Sequence, residues 1–259
     1  MYLLTMDVGN THIKMQLMQK DKAVGTFRLT TGITRTSDEF GISIREFLNT
    51  YNVRREEIID TVISSVVPNI MYSLTRAVKK FIGKEPILID ATVNSGIQIK
   101  TDAPREVGAD RIVDCAAAFY TYHRSCIVVD FGTATTFDYV SNEGVFRHTV
   151  IMPGLGISAS ALTSKAAKLP EIEIRKPESI LVGNTIAGMQ AGVVYGYIGA
   201  CEYIIRKMKE ALNDDCFVVA TGGLGRVIAH ETDEIDEYEP DLAGKGISII
   251  YRHMKGEFE

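Results

Sequence analysis

Two short stretches place a carboxylate, a glycine and hydroxyls at the end of an apolar run. One is DVGNT, from Asp7 to Thr11 behind YLLTM; the other is DFGTATT, from Asp130 to Thr136 behind CIVV. A glycine at such a turn lets the backbone approach a phosphate, while free N–H groups and hydroxyls supply donors to its oxygens. The carboxylates would repel a phosphate, so Asp7 and Asp130 make chemical sense only with a cation in between. Either motif alone also reads as an ordinary strand-end turn; two copies in matching places weaken that reading. ATGGLG, from Ala220 to Gly225, is a third glycine turn, where a flat base could lie on the backbone or a helix could pack close.

GADR, from Gly108 to Arg111, sets a carboxylate beside a guanidinium. Asp110 is a candidate proton acceptor, but an acidic residue in the first turn of a helix also gains about 0.3–1 kcal/mol from the macrodipole with no chemistry involved. The five histidines show neither metal-ligand spacing nor a paired nucleophile. The four cysteines, Cys115, Cys126, Cys201 and Cys216, form no CxxC pair and read as small buried apolar residues.

These residues need a frame to hold them. YLLTMDV, HIKMQLMQ and AVGTFRLT read as three strands in a meander; a helix follows over about Asp38 to Tyr51, then a strand (DTVISSVV), a helix opening on Pro68, and a strand (PILID). Gly108 to Arg124 reads as a helix. The pattern then restarts with CIVVDFGTATT, TFDYV and GVFRHTVIMPG, so the chain reads as an internal duplication with alternating strands and helices. We divide it into residues 1–115 and 116–259. The second half holds helical stretches over about Gly156 to Lys168 and Thr185 to Leu212, then the strand CFVVA. The long helix carries Gly188, Gly192 and Gly196 at a spacing of four, each costing roughly 0.5–1 kcal/mol relative to alanine. Their shared face implies close backbone packing, either within the chain or against a second subunit. The acidic run ETDEIDEYEPD, from Glu231 to Asp241, reads as a solvated loop.

The chain has 259 residues, 46% of them hydrophobic and 24% charged, with a net charge of −5 and no long run of one sign. That composition suits a globular α/β protein and gives no electrostatic footprint for nucleic acid or an anionic membrane. The longest apolar stretch, Gly192 to Ile205, falls short of the roughly 18–20 residues that a membrane span needs. A cytoplasmic location is the expectation.

DVGNT, PREVGADR, DFGTATT, PGLG, AKLP, GNT, ATGG and EPDL, in this order and at these separations, resemble the type III pantothenate kinases over nearly the whole chain. The resemblance implies two ribonuclease H-like halves of the actin-like ATPase and sugar-kinase superfamily, a homodimer, and phosphorylation of the primary alcohol of pantothenate by ATP, the first step of coenzyme A synthesis. It implies that Asp7, Val8, Gly9, Asn10, Thr11, His12, Ile13 and Lys14 hold the ATP phosphates, with Asp7 acting through Mg2+, and that Thr133 also contacts ATP. It makes Asp110 the proton acceptor and assigns pantothenate to Gly108, Ala109, Asp110, Arg111 and Thr185. Asp130 matches the ligand of a monovalent cation, K+ or NH4+. Two departures stand out: Thr101 where many members have tyrosine, and DLAGKGI in place of a leucine-rich ending.

Overall fold

The computed structural model describes residues 1–166 and 168–257. The chain forms two compact units, Met1–Tyr120 together with the chain from Asp241 onward, and Thr121–Pro240.

In the first unit, β1 (Tyr2–Val8), β2 (His12–Gln19) and β3 (Lys22–Thr30) form an antiparallel meander, and β1 pairs in parallel with β4 (Ile58–Ser65), which pairs in parallel with β5 (Ile87–Ile89). The sheet order is therefore β3-β2-β1-β4-β5. Strand alternation divides β1 between two faces. Leu4, Met6 and Val8 join a core built with Phe40, Ile44 and Phe47 of α1 (Ser37–Thr50) and Leu74 and Val78 of α2 (Pro68–Phe81). Phe40 and Phe47 are almost fully buried, worth about 1.5–3 kcal/mol each. Thr36 starts α1 with a capping box to Glu39, and Pro68 takes the first turn of α2, where its missing N–H costs nothing. β6 (Gln98–Ile99) is a two-residue segment, and α3 (Ala109–Tyr122) follows it. The other face of β1 and β4 packs Leu3 and Val62 on Ile112, Val113 and Ala116 of α3.

The second unit repeats the first. β7 (Cys126–Phe131), β8 (Ala134–Val140) and β9 (Val145–Pro153) form an antiparallel meander. β7 also pairs in parallel with β10 (Phe217–Thr221), and β10 with β11 (Glu237–Tyr238). Between them come α4 (Leu155–Lys165), α5 (Thr185–Leu212) and, after β10, α6 (Gly225–Ala229). Phe131, Phe137, Val194, Tyr197, Cys201 and Ile205 form the centre of this unit's core. The duplication read from the sequence is thus present as one strand order used twice. Ala167, in the AKLP stretch and within the helix expected to reach Lys168, lies outside the described residues, as do 258 and 259; α4 itself ends at Lys165.

Two readings change. The acidic run is not simply a solvated loop. Within it Ile235 is buried, Asp236 accepts a hydrogen bond from the Val218 N–H at 2.7 Å, and Glu237–Tyr238 form the edge strand β11. The C-terminal segment, which the sequence division puts with the second half, is compact with the first unit. It forms α7 (Leu242–Lys255), whose Ile247, Ile250 and Tyr251 share a core with Leu3, Val62 and Val113. Its glycines explain the unusual DLAGKGI ending. A Cβ on Gly244 would lie 2.1 Å from Gln16 Oε1, and one on Gly246 would lie 2.1 Å from the Val113 carbonyl oxygen. All four cysteines are buried thiols outside any disulfide, and burial pushes those of Cys126, Cys201 and Cys216 up to about 12.

Candidate active site

The DVGNT motif is a tight hairpin between β1 and β2, closed by a Gly9 N–H to His12 carbonyl hydrogen bond of 3.0 Å. Thr31 braces it, its hydroxyl donating to the Gly9 carbonyl at 2.7 Å and its N–H to the Thr11 carbonyl at 2.9 Å. Asn10, Thr11 and His12 are exposed at the tip, while Val8 and Ile13 are buried and anchor the strands. The tip therefore offers backbone and side-chain donors on a rigid base.

Register places Lys14 of β2, Asp7 of β1 and Ser64 of β4 side by side, on the sheet face that α3 covers. Burial raises the Asp7 carboxyl to about 7; the negative charge of Asp110 adds to the rise and the Lys14 ammonium opposes it. Asp7 and Asp110, far apart in sequence, are electrostatic neighbours. Two carboxylates so placed disfavour each other's ionisation and favour a cation beside them. Asp110 sits in the first turn of α3 and accepts from the Arg111 N–H at 2.8 Å. A Cβ on Gly108 would meet Asp110 Oδ1 at 2.5 Å, so glycine is what leaves room for this carboxylate. Ala109 is buried in the core beneath, and Arg111 is half-buried in the same turn.

In the second unit the corresponding row is Thr136 of β8, Asp130 of β7 and Thr221 of β10. Backbone crowds this carboxylate. A Cβ on Gly222, whose φ is +92°, would lie 2.5 Å from Asp130 Oδ1 and 2.6 Å from the Phe131 carbonyl oxygen; one on Gly132 would lie 3.2 Å from Asp130 Oδ2. Tyr238 fixes this turn by donating to the Gly222 carbonyl at 2.8 Å. ATGG is thus read more sharply than from sequence: Gly222 closes against the Asp130 motif. Thr133 is exposed at the turn after β7, its carbonyl accepting from the Gly154 N–H at 3.1 Å.

Thr185 is exposed in the first turn of α5, behind Asn184, which caps the helix by accepting from the Ala187 N–H at 2.9 Å. Further along α5, Gly188, Gly192, Gly196 and also Gly199 are exposed, and no described atom lies within 4 Å of a Cβ placed on any of them. Packing against other described residues does not account for the stripe.

Among the described residues, no three His, Cys, Asp or Glu side chains converge as a complete metal cage. Mg2+ does not require one, since it is commonly held through one or two carboxylates, waters and substrate phosphates. Asp7 beside Asp110 fits such a site. Asp130 Oδ1 and the Phe131 carbonyl oxygen both lie against Gly222, two hard oxygen donors of the kind that Mg2+, K+ and similar cations take. Sequence reasoning did not single out Ser64, whose buried hydroxyl has no hydrogen-bond partner in the structure, or Asp241, which accepts from Lys14 Nζ at 2.8 Å. Among the described residues no helix is long and apolar enough to cross a membrane.

Comparisons with known proteins give the family and the fold. A family model described as type III pantothenate kinase matches residues 3–207. A type III pantothenate kinase from Agathobacter rectalis is 49% identical over 251 residues, 96% of each chain. Among solved structures, the activator of 2-hydroxyisocaproyl-CoA dehydratase from Clostridium difficile with bound ADPNP superposes with a TM-score of 0.55 at 13% identity, covering all of this chain and 98% of that one. A ROK hexokinase from Thermus thermophilus gives 0.51 at 11% identity, covering 99% of this chain and all of the other. The structural likenesses carry the fold alone: two ribonuclease H-like halves, as in the actin-like ATPases and sugar kinases. With the family model covering most of its length and a relative 49% identical over 96% of it, the chain belongs to the type III pantothenate kinase family.

Proposed function

We propose that this chain transfers the γ-phosphoryl group of ATP to the primary alcohol of pantothenate, the first step of coenzyme A synthesis. The observation that carries the reading is the pairing of Asp110 with Asp7: the candidate base lies within electrostatic reach of the carboxylate at the phosphate hairpin. Phosphoryl transfer passes through a loose transition state, so the protein's work is positioning and charge neutralisation. The Gly9–His12 turn and Lys14 hold the phosphates, and Thr133 makes a further ATP contact. Gly108, Ala109, Arg111 and Thr185 bind pantothenate, with Arg111 supplying a cation to its carboxylate or to phosphoryl oxygens. Asp110 orients the hydroxyl and accepts its proton late, since a carboxylate with a reference pKa of about 3.9 is too weak a base to ionise an alcohol beforehand.

Asp7 would hold Mg2+ by way of water, and Asp130 with the Phe131 carbonyl would hold K+ or NH4+; when bound, these ions would offset phosphate charge. A coupled ADP-release assay with pantothenate beside a panel of sugars tests the substrate. Turnover with a sugar and none with pantothenate overturns the reading.

The same reading makes the protein a cytoplasmic homodimer. The open glycine stripe of α5 is the face offered to a second copy. Gly192→Leu is then expected to yield monomers that bind ATP without phosphorylating pantothenate, judged by size-exclusion chromatography and the same assay. An active monomer or an intact dimer shows that the stripe packs elsewhere.

A further inference from the structure

We propose that Asp241, at the head of α7, is a positioning residue for the phosphate hairpin: it holds the Lys14 ammonium ready for ATP phosphate and keeps it from closing onto Asp7. The inference rests on the reading of Lys14 as a phosphate contact. Lys14 and Asp7 are direct cross-strand neighbours, with Cβ atoms of such pairs about 4.5–5.5 Å apart, so a carboxylate lies within reach of the ammonium. A lysine bound to Asp7 would offset the charge that a divalent cation needs and would withdraw its own charge from the nucleotide. Asp241 draws the ammonium the other way, accepting from Lys14 Nζ at 2.8 Å and, on the same oxygen, from Gln16 Nε2 at 2.7 Å. Gln16 is next but one to Lys14 on the same face of β2, and its amide also reaches the Thr26 hydroxyl at 3.3 Å. The Lys14 side chain is only 12% exposed, which leaves it little freedom once this acceptor is set.

Two observations separate this role from simple docking of α7. An aspartate at the start of a helix ordinarily caps it, yet the Asp241 side chain makes no capping hydrogen bond to α7. The helix also has other anchors: Tyr251 donates to Asp60 at 2.7 Å, Ser248 donates to the Lys20 carbonyl at 2.7 Å, and Arg252 pairs with Asp21. With side chains 12% and 38% exposed, the Lys14–Asp241 pair loses much of its attraction to desolvation, so it is weak evidence for a role in holding α7.

The test is a double-mutant cycle on the full-length protein, read by ADP binding in calorimetry, by KM for ATP and for pantothenate, and by Tm. Asp241→Ala is expected to raise the ADP Kd and the ATP KM by about 5- to 30-fold, the range of one or two lost interactions, with the pantothenate KM unchanged and Tm within a few degrees of wild type. Asp241→Asn, which keeps an acceptor oxygen, should recover part of the loss. In a Lys14→Met background Asp241→Ala should add nothing. Additive losses, or a fall in Tm with nucleotide affinity intact, overturn the proposal and leave Asp241 a docking residue. Should Lys14→Met itself leave nucleotide affinity unchanged, the phosphate role of Lys14 fails and the proposal fails with it; loss in Lys14→Met without loss in Asp241→Ala overturns the proposal alone.

Discussion

The two carboxylate rows occupy the same place in one strand order and are filled differently. In the first unit Asp7 stands between Lys14 and Ser64; in the second Asp130 stands between Thr136 and Thr221. The first row includes a cation of its own and lies near a second carboxylate, Asp110, so its chemistry is a balance of charges. Hydroxyls and backbone fill the second row: glycines at 132 and 222 bring main chain against Asp130, and the buried Thr136 hydroxyl has no hydrogen-bond partner in the structure. A duplicated frame therefore does not imply duplicated roles. The row with a lysine carries a positive charge of its own, whereas the row without one is lined by hydroxyls and backbone.

The largest effect expected from disturbing the first row comes at Asp110. Asp110→Asn should preserve fold and ATP binding while lowering kcat by about 10²–10⁴-fold, the usual contribution of a positioned base. Unchanged turnover would reduce Asp110 to a favourable helix-dipole charge and remove the charge balance from the comparison.

Asp130→Asn probes the other row. The wild-type protein should need K+ or NH4+ as well as Mg2+, and the variant should show activation by the monovalent ion weakened about 10- to 100-fold, a typical cost of altering a metal site. Full activity of the wild type in sodium-only buffer with Mg2+ would erase the distinction between the rows.

Gly222→Ala sharpens it on the backbone side. At φ +92° and 2.5 Å from Asp130 Oδ1, an added methyl should cost about 1–3 kcal/mol of stability, seen as a lower denaturation midpoint. Gly9→Ala, in the first motif, would place its methyl 3.5 Å from the His12 carbonyl, ordinary contact, and should be near neutral for stability. Equal losses in the two variants would show that close backbone packing is common to both rows.

The smallest expected effect is a pH-dependent one. Burial and Asp110 raise the folded-state pKa of Asp7 from 3.8 to about 7, so over that interval the folded protein binds more protons than the unfolded chain. Stability contributed by this group is therefore present at low pH and declines as pH rises toward 7. Without metal or nucleotide, Asp7→Asn should melt a few degrees above wild type at pH 8, and the gap should close by about pH 4. A gap independent of pH would show that Asp7 is not held out of its charged form.

Much of this frame was legible in the sequence, because its signals are local. The bounds of α5 follow from an asparagine cap and a continuous helical pattern, and the meanders from period-two strands divided by short turns. The restart at Cys126 showed the duplication. The rows were not legible, since they depend on register between strands: Ser64 next to Asp7 follows from parallel pairing across a long connection. The acidic run misled because charge density says nothing about whether a particular carboxylate meets a backbone N–H, as Asp236 does, or a lysine more than two hundred residues away, as Asp241 does. The DLAGKGI glycines read as a departure until α7 showed what approaches them.

The return of α7 to the first unit also bears on the order in which the protein is made. Synthesis delivers the β-meander before Thr121–Pro240 and α7 after it, and domains generally fold as they emerge. Thr121–Pro240 is one unbroken stretch that can close as soon as it is delivered. The earlier unit must wait through that whole interval with Leu3, Val62 and Val113 lacking Ile247 and Ile250, and with Lys14 lacking Asp241. The nascent chain therefore carries an uncovered apolar face until α7 is made, and the β1–β2 hairpin gains its contact with Asp241 only then.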